Sequence, residues 1–292
     1  RANAKWSNGD PVTATDFVKS YQRALSPELA NEYAYMLFYV VNAEKFNKNE
    51  ITNFNDVGFK ALDDRTLQIT LNSPTSYFLS LLNHHSWFPV HIPTIEKFGD
   101  PLQRGNRWTR PGNYVGNGPF VLSEWKVNTV VGVKKNPLYW DADTVRLQGI
   151  RFYPMERLDT EERAFRSGQI HKTNKLPPTK IEYYKKNYPE LLKQAPYLGT
   201  YIYEFNVEKP AFRDKRVRQA LAMSIDREAI VKTVTRGGET PAYAFTPPNT
   251  AGYTAQAQIP YDIERAKKLM AEAGYPDGRG FPKTELLYNT LE

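Results

Sequence analysis

The chain has 292 residues, of which 40% are hydrophobic and 24% charged, enough apolar material for one or two folded domains and too much for a long disordered tract. The formal net charge is +7, but lysines and arginines occur in separate pairs such as 134–135 and 185–186, a distribution that argues against nucleic-acid binding. The absence of cysteine excludes disulfides, zinc–thiolate sites and thiol catalysis.

The first ninety residues predict a mixture of helices and strands. Asn8-Gly9 is a strong turn signal, and residues 13–16 (TATD) fit a capping box that starts a helix. Residues 67–71 alternate between apolar and polar side chains, which predicts a half-buried strand, and residues 77–82 predict a short helix. The apolar face of the first helix is predicted to consist of Phe17, Val18, Tyr21 and Leu25.

The middle of the chain predicts a boundary followed by a small sheet. Residues 90–117 are interrupted by prolines and glycines, a composition typical of a crossing between structural units. Residues 118–125 and 130–134 predict a β-hairpin, and residues 147–152 predict a third strand.

The second half predicts helices and one aromatic strand. Residues 197–206 are β-prone, and Tyr197, Gly199, Tyr201, Tyr203 and Phe205 would share one face of that strand. Residues 285–289 predict a further strand, which would need a neighbour. Helices are predicted at 159–167, 178–193, 214–224, 226–234 and 262–273.

The sequence lacks a recognisable catalytic or cofactor motif. It contains no Gly-x-Ser-x-Gly element and no Walker or dinucleotide loop, so neither hydrolase chemistry nor a cofactor is predicted. His84, His85 and His91 are close in sequence, but adjacent histidines on a regular element point in different directions and no acid stands at helical spacing from them. We therefore predict no metal site.

Three stretches resemble a known family. Residues 5–17 (KWSNGDPVTATDF), 117–141 (NGPFVL through W to KNPLYWD) and 212–228 (FRD, RVRQAL, IDRE) are similar to motifs of the extracellular solute-binding proteins of family 5, which serve peptide and nickel importers. Tyr33 and the segments 196–197, 241–243 and 246–248 narrow the likeness to the oligopeptide and murein-peptide branch.

The resemblance implies an α/β fold that is part of a two-lobed periplasmic binding protein of type II, in the large class with an extra domain. It implies that residues 1–90 belong to the extra domain, 91–199 to the middle of the first lobe, and 200–292 to a hinge strand and the start of the second lobe. By the same likeness the chain is expected to be an internal fragment that lacks both ends.

The resemblance also implies ligand contacts. Tyr197 is expected to stack on, or hydrogen-bond to, a ligand residue. Where oligopeptide binders carry a lysine for the ligand carboxylate, this chain has Thr235 followed by Arg236, which would offer a bidentate substitute. The full set of expected ligand-binding positions is Tyr33, Asn174, Tyr197, Gly199, Ile202 and Arg236.

The implied function is non-catalytic capture. The protein is expected to be a periplasmic or lipid-anchored monomer that encloses oligopeptides between two lobes and delivers them to the permease subunits of an ABC importer. Alternatives on the same fold are a murein peptide, a nickel chelate, haem or a sugar oligomer as ligand, and an enzyme is the alternative of a different class.

Overall fold

The computed structural model describes residues 1–288. By its internal contacts the chain divides into two compact units, Arg1–Pro154 and Met155–Glu292. Among the described residues, no helix is both long enough and apolar enough to cross a bilayer.

Unit 1, residues 1–154, combines short helices with two small antiparallel sheets. Its α-helices are α1 (Ala14–Leu25), α2 (Ala43–Asn47), α3 (Phe78–Leu81) and α4 (Ile92–Glu96). Its strands are β1 (Phe59–Asp63), β2 (Thr66–Ile69), β3 (Phe120–Lys126), β4 (Val130–Lys135) and β5 (Gly149–Phe152). Single turns of 3-10 helix lie at Pro27–Leu29, Ala34–Leu37, Phe54–Asp56, His85–Trp87, Arg107–Thr109 and Ala142–Thr144.

Helix α1 starts where its capping box predicts. The Thr13 backbone amide donates to Asp16 Oδ2 at 2.7 Å and the Thr13 hydroxyl does so at 3.1 Å, so exposed polar groups at the helix start are satisfied. Tyr21 and Leu25 are buried in the core of the unit, and Phe17 and Val18 pack against it. The predicted apolar face of the helix is therefore confirmed.

Two sheets form, and β1 of the first sheet is a strand that the sequence did not predict. Strands β1 and β2 pair antiparallel beside α1, and the three-stranded sheet has the order β3-β4-β5 with both pairs antiparallel. A register shift between Leu122 and Glu124 interrupts the β3–β4 ladder, which marks a bulge in β3. The predicted hairpin and third strand are confirmed.

Unit 2 is helical in the part of the chain that the structure describes. Its α-helices are α5 (Leu158–Arg166), α6 (Ile181–Asn187), α7 (Pro210–Arg213), α8 (Lys215–Met223), α9 (Arg227–Ile230) and α10 (Ile263–Glu272). A π-helical turn at Val231–Thr235 continues α9, and 3-10 turns lie at Pro178–Lys180 and Pro276–Gly278.

Helices α8 and α10 form the small core of unit 2. Ala220 and Met223 of α8 are buried against Ala266 of α10. Arg216 Nη1 donates to the carbonyl oxygen of Glu272 at 2.8 Å, and the Asp262 amide donates to Met223 O at 3.0 Å. These contacts fix the two helices at both ends.

Three predicted elements differ from the structure. The strand predicted at 197–206 does not form, because no strand exists between residues 155 and 288 with which it could pair. The helix predicted at 178–193 ends at Asn187, since Tyr188 precedes Pro189 and a residue before proline is disfavoured in the helical region. Residues 285–288 of the last predicted strand are not in a strand, and Asn289 lies outside the described residues.

Candidate functional site

Tyr33 is placed on the surface of unit 1 within a group of rings. Its backbone amide donates to Asn31 Oδ1 at 3.1 Å, and it precedes the 3-10 turn Ala34–Leu37. The Tyr33 ring centroid lies 5.1 Å from that of His84, 5.2 Å from that of His85 and 6.1 Å from that of Tyr35. Tyr33 is 42% exposed, and its ligand contact stays a prediction.

The imidazoles of His84 and His85 lie against each other in a tilted arrangement, which the sequence did not predict. Their centroids are 4.1 Å apart and their planes are inclined by only 33°. The expectation that adjacent histidines point in different directions applies to a regular element, whereas these two residues lie at the start of the single turn His85–Trp87.

His91 belongs to a separate, buried environment. Its Nδ1 lies 2.7 Å from Thr94 Oγ1, its Nε2 lies 3.1 Å from Asp10 Oδ2, and its ring contacts Trp6. Both ring nitrogens are therefore engaged inside the protein. Within residues 1–288, no group of three or more His, Asp or Glu side chains is placed to hold a metal ion.

In unit 2, three predicted ligand residues lie on the segment 192–206, which has no regular secondary structure. Tyr197 is 90% exposed. Its ring folds over Gly199, since a Cβ at Gly199 would lie 2.6 Å from Tyr197 Cε1, and the Gly199 amide donates to Tyr197 O at 3.1 Å. The large hydrophobic side chains of the segment that are exposed are Tyr197, Leu198, Tyr201, Ile202 and Tyr203.

The structure connects this segment to two others that the sequence singled out. The Thr200 hydroxyl donates to Phe245 O at 2.7 Å, and Gln194 Nε2 donates to the carbonyl oxygen of Gly237, next to Arg236. Neither Thr200 nor Gln194 was predicted from sequence, because their partners are more than forty positions away. The two contacts bring the loop that carries Arg236 next to the aromatic segment.

Arg236 ends the π-helical turn in the left-handed region, with φ of 57°. Its Nε donates to Thr233 O at 2.7 Å. Nearby, the Glu239 carboxylate accepts hydrogen bonds from the Thr235 hydroxyl at 2.8 Å and the Gly237 amide at 2.9 Å. Burial opposes ionisation of Glu239, but hydrogen bonds from its own amide, Thr235 and Gly237 outweigh that effect and lower the pKa of the carboxyl.

Asn174 is not connected to the other predicted positions. Its backbone amide donates to Glu161 Oε1 of α5 at 2.6 Å, so the residue closes a loop against that helix. Its place in the candidate site therefore stays a prediction.

A depression of about 480 Å³ lies elsewhere on unit 2 and contains none of the predicted ligand residues. It follows one side of α5 and the turn after it. The residues that line it are Met155, Thr160, Arg163, Ala164, Arg166, Ser167 and Gln169.

The sequence matches a known family over its whole length. A family profile described as "Bacterial extracellular solute-binding proteins, family 5 Middle" matches residues 1–291. The periplasmic oligopeptide-binding protein OppA of Escherichia coli (strain K12) is 41% identical over 304 residues, which cover 100% of this chain and 54% of that protein. The chain thus spans about half the length of the relatives it matches.

Solved structures agree with the sequence match. The murein tripeptide binding protein MppA of Escherichia coli superposes with a TM-score of 0.84 at 36% identity, covering 94% of this chain and 54% of that one. Haemophilus influenzae OppA in complex with the peptide RPPGFSPFR superposes with a TM-score of 0.79 at 34% identity, with the same coverage. The predicted α/β fold, part of a two-lobed periplasmic binding protein, is confirmed.

Proposed function

The chain belongs to the bacterial extracellular solute-binding proteins of family 5, and from this premise we propose that it forms part of a periplasmic capture protein for oligopeptides. The protein would deliver its ligand to the permease subunits of an ABC importer and would carry out no reaction on it. The observation that carries the proposal is the superposition, over 94% of this chain, on a relative crystallised with a bound nonapeptide, RPPGFSPFR.

The chemistry of the described surfaces is compatible with this role. Peptide capture needs apolar faces for side chains and hydrogen-bonding groups for the main chain. The segment 192–206 offers exposed phenols at Tyr197, Tyr201 and Tyr203, and the rings of the last two pack edge to face at 5.9 Å. Tyrosine gives a large contact area at low entropic cost, which suits ligands of varied sequence.

Native mass spectrometry would test the proposal. The full-length gene product that contains these 292 residues is purified without refolding and examined for bound mass. We expect a ladder of short peptides that disappears after denaturation. Recovery of a nickel chelate, haem or a sugar oligomer instead would contradict oligopeptide capture and leave the family assignment intact.

A murein peptide is the second candidate ligand. The observation behind it is the superposition on the murein tripeptide binding protein, with a TM-score of 0.84 at 36% identity. Tandem mass spectrometry of the released ligand separates the two, because a murein tripeptide contains diaminopimelate and ordinary oligopeptides do not.

A further inference from the structure

The group formed by Tyr33, Tyr35, His84 and His85, hereafter the ring cluster, has an unusual pair of imidazoles. The Ser86 amide donates to His84 Nδ1 at 3.3 Å, so in the neutral state the proton of His84 is on Nε2. The imidazole of His85 lies against it in a tilted arrangement with a centroid distance of 4.1 Å, and His85 is exposed to solvent. Two titratable rings are thus held together at the surface.

The surroundings leave this pair without an internal counter-charge. Between residues 1 and 288, the one ion pair that includes a histidine is His91–Asp10, and no carboxylate lies within 4.0 Å of His84 or His85. Tyr33 and Tyr35 present phenols, which are neutral near pH 7, and Glu32 precedes Tyr33 in the sequence without pairing to either imidazole.

A bound carboxylate accepts charge-assisted hydrogen bonds from imidazolium N–H groups, so it favours the protonated form of the pair over the neutral form. Ligand binding and proton uptake are therefore coupled at the ring cluster.

We infer that the ring cluster is a proton-linked subsite for acidic ligands, which accepts the side-chain carboxylate of a peptide and takes up a proton from solvent as it binds. The inference rests on the proposed function, since it names the class of peptide that this surface favours. The Tyr33 and Tyr35 rings flank the carboxylate site and pack on the aliphatic part of the acidic residue. A lysine or arginine side chain would instead be repelled by the protonated pair.

Calorimetry with two matched peptides tests the inference. The full-length gene product containing this chain is titrated with Ala-Glu-Ala and with Ala-Gln-Ala at about pH 7.5 and about pH 5.5, a range over which histidine changes charge while glutamate stays largely ionised. We expect the ratio of Glu-peptide to Gln-peptide affinity to rise roughly five- to tenfold at the lower pH. The Glu peptide should also show a binding enthalpy that depends on the ionisation enthalpy of the buffer.

The matched variants are His84→Asn with His85→Asn, and His171→Asn as the control. Asparagine at position 84 can still accept the Ser86 amide, and position 85 is exposed, so the double variant keeps the turn. The ratio of Glu-peptide to Gln-peptide affinity should become independent of pH in the double variant and stay pH-dependent in the control.

Each outcome decides one claim. Equal pH dependence for both peptides, or a pH-dependent ratio that survives in the double variant, overturns the subsite and leaves peptide capture standing. If neither peptide binds at either pH, while the protein is folded and free of ligand, peptide capture fails and the subsite fails with it.

Discussion

Because Gly199 has no side chain, the ring of Tyr197 can lie over it. A Cβ added at position 199 would be 2.6 Å from Tyr197 Cε1, which is too close for two carbon atoms that are not bonded. Because Tyr197 is almost fully exposed, its ring position contributes little to folding. A glycine at 199 therefore serves the placement of the ring more than the stability of the chain.

Gly199→Ala should displace the Tyr197 ring and weaken peptide binding by roughly two- to tenfold, while the free energy of unfolding changes by less than about 0.5 kcal/mol. Peptide titration and chemical denaturation measure the two quantities. Gly118→Ala is the matched control, since a Cβ there meets no atom within 4 Å. A large loss of stability with unchanged affinity would show that Gly199 is structural.

His91 illustrates the opposite case, a polar side chain that is only 3% exposed and satisfied at both nitrogens. His91→Ala removes the partners of Thr94 and Asp10 and leaves a cavity beside Trp6, so we expect unfolding in urea to become easier by roughly 2 kcal/mol. His171→Ala, at an exposed position, should change stability by less than about 0.5 kcal/mol. A similar small effect at His91 would mean that its hydrogen bonds are replaced by solvent.

The starts of several helices were predicted correctly from single capping residues. Asp214, Asp226 and Asp262 each accept an amide hydrogen bond at the start of the helix that the sequence placed after them. Such contacts join residues two or three positions apart, so a sequence pattern contains all the information needed. The same reasoning correctly gave the β3–β4 hairpin, whose partners are neighbours in the chain.

The carboxylate of Asp214, at the start of α8, makes the stability of the protein depend on pH. Hydrogen bonds from the Arg216 guanidinium, and then from the Arg216 amide, hold the pKa of Asp214 at about 2, below its ordinary value of 3.8. A carboxyl group whose pKa is lower in the folded state than in the unfolded state stabilises the fold at pH values above its unfolded-state pKa. This stabilisation is lost as the pH falls through the folded-state pKa. Unfolding of the protein should therefore become easier between about pH 4 and pH 2.

The variant Asp214→Asn should lose less stability than the wild type across that interval, and so should Arg216→Gln, which removes the main cause of the shift. Urea denaturation at a series of pH values measures the difference. Parallel curves for the wild type and Asp214→Asn would contradict the account of this helix start.

The sequence did not predict contacts that depend on distant residues or on the geometry of one turn. The aromatic alternation at 197–206 predicted a strand, but a strand needs a neighbour and residues 155–288 supply none. The links from Gln194 and Thr200 to the loop of Arg236 and to Phe245 join positions more than forty apart, and no periodicity marks them. The contact between the His84 and His85 rings depends on a turn geometry that residue types alone do not specify.

At the scale of the whole molecule, the family was predicted from three separated motifs and is confirmed by a match to residues 1–291. The division into residues 1–90, 91–199 and 200–292 and the six ligand positions remain proposals. These positions were inferred from a family whose members are about twice as long as this chain. The match to E. coli OppA, for example, covers 54% of that protein. Loosely selective peptide capture is the claim that unites these proposals.

A calorimetric titration tests that claim most directly. The full-length gene product containing this chain is stripped of ligand by unfolding and refolding, and is then titrated with tri-alanine, a peptide without distinctive side chains. We expect saturable binding of one peptide per protein, because main-chain contacts would hold the ligand. Heat no larger than that of dilution, together with saturable binding of a nickel chelate or haem by the same preparation, would contradict it.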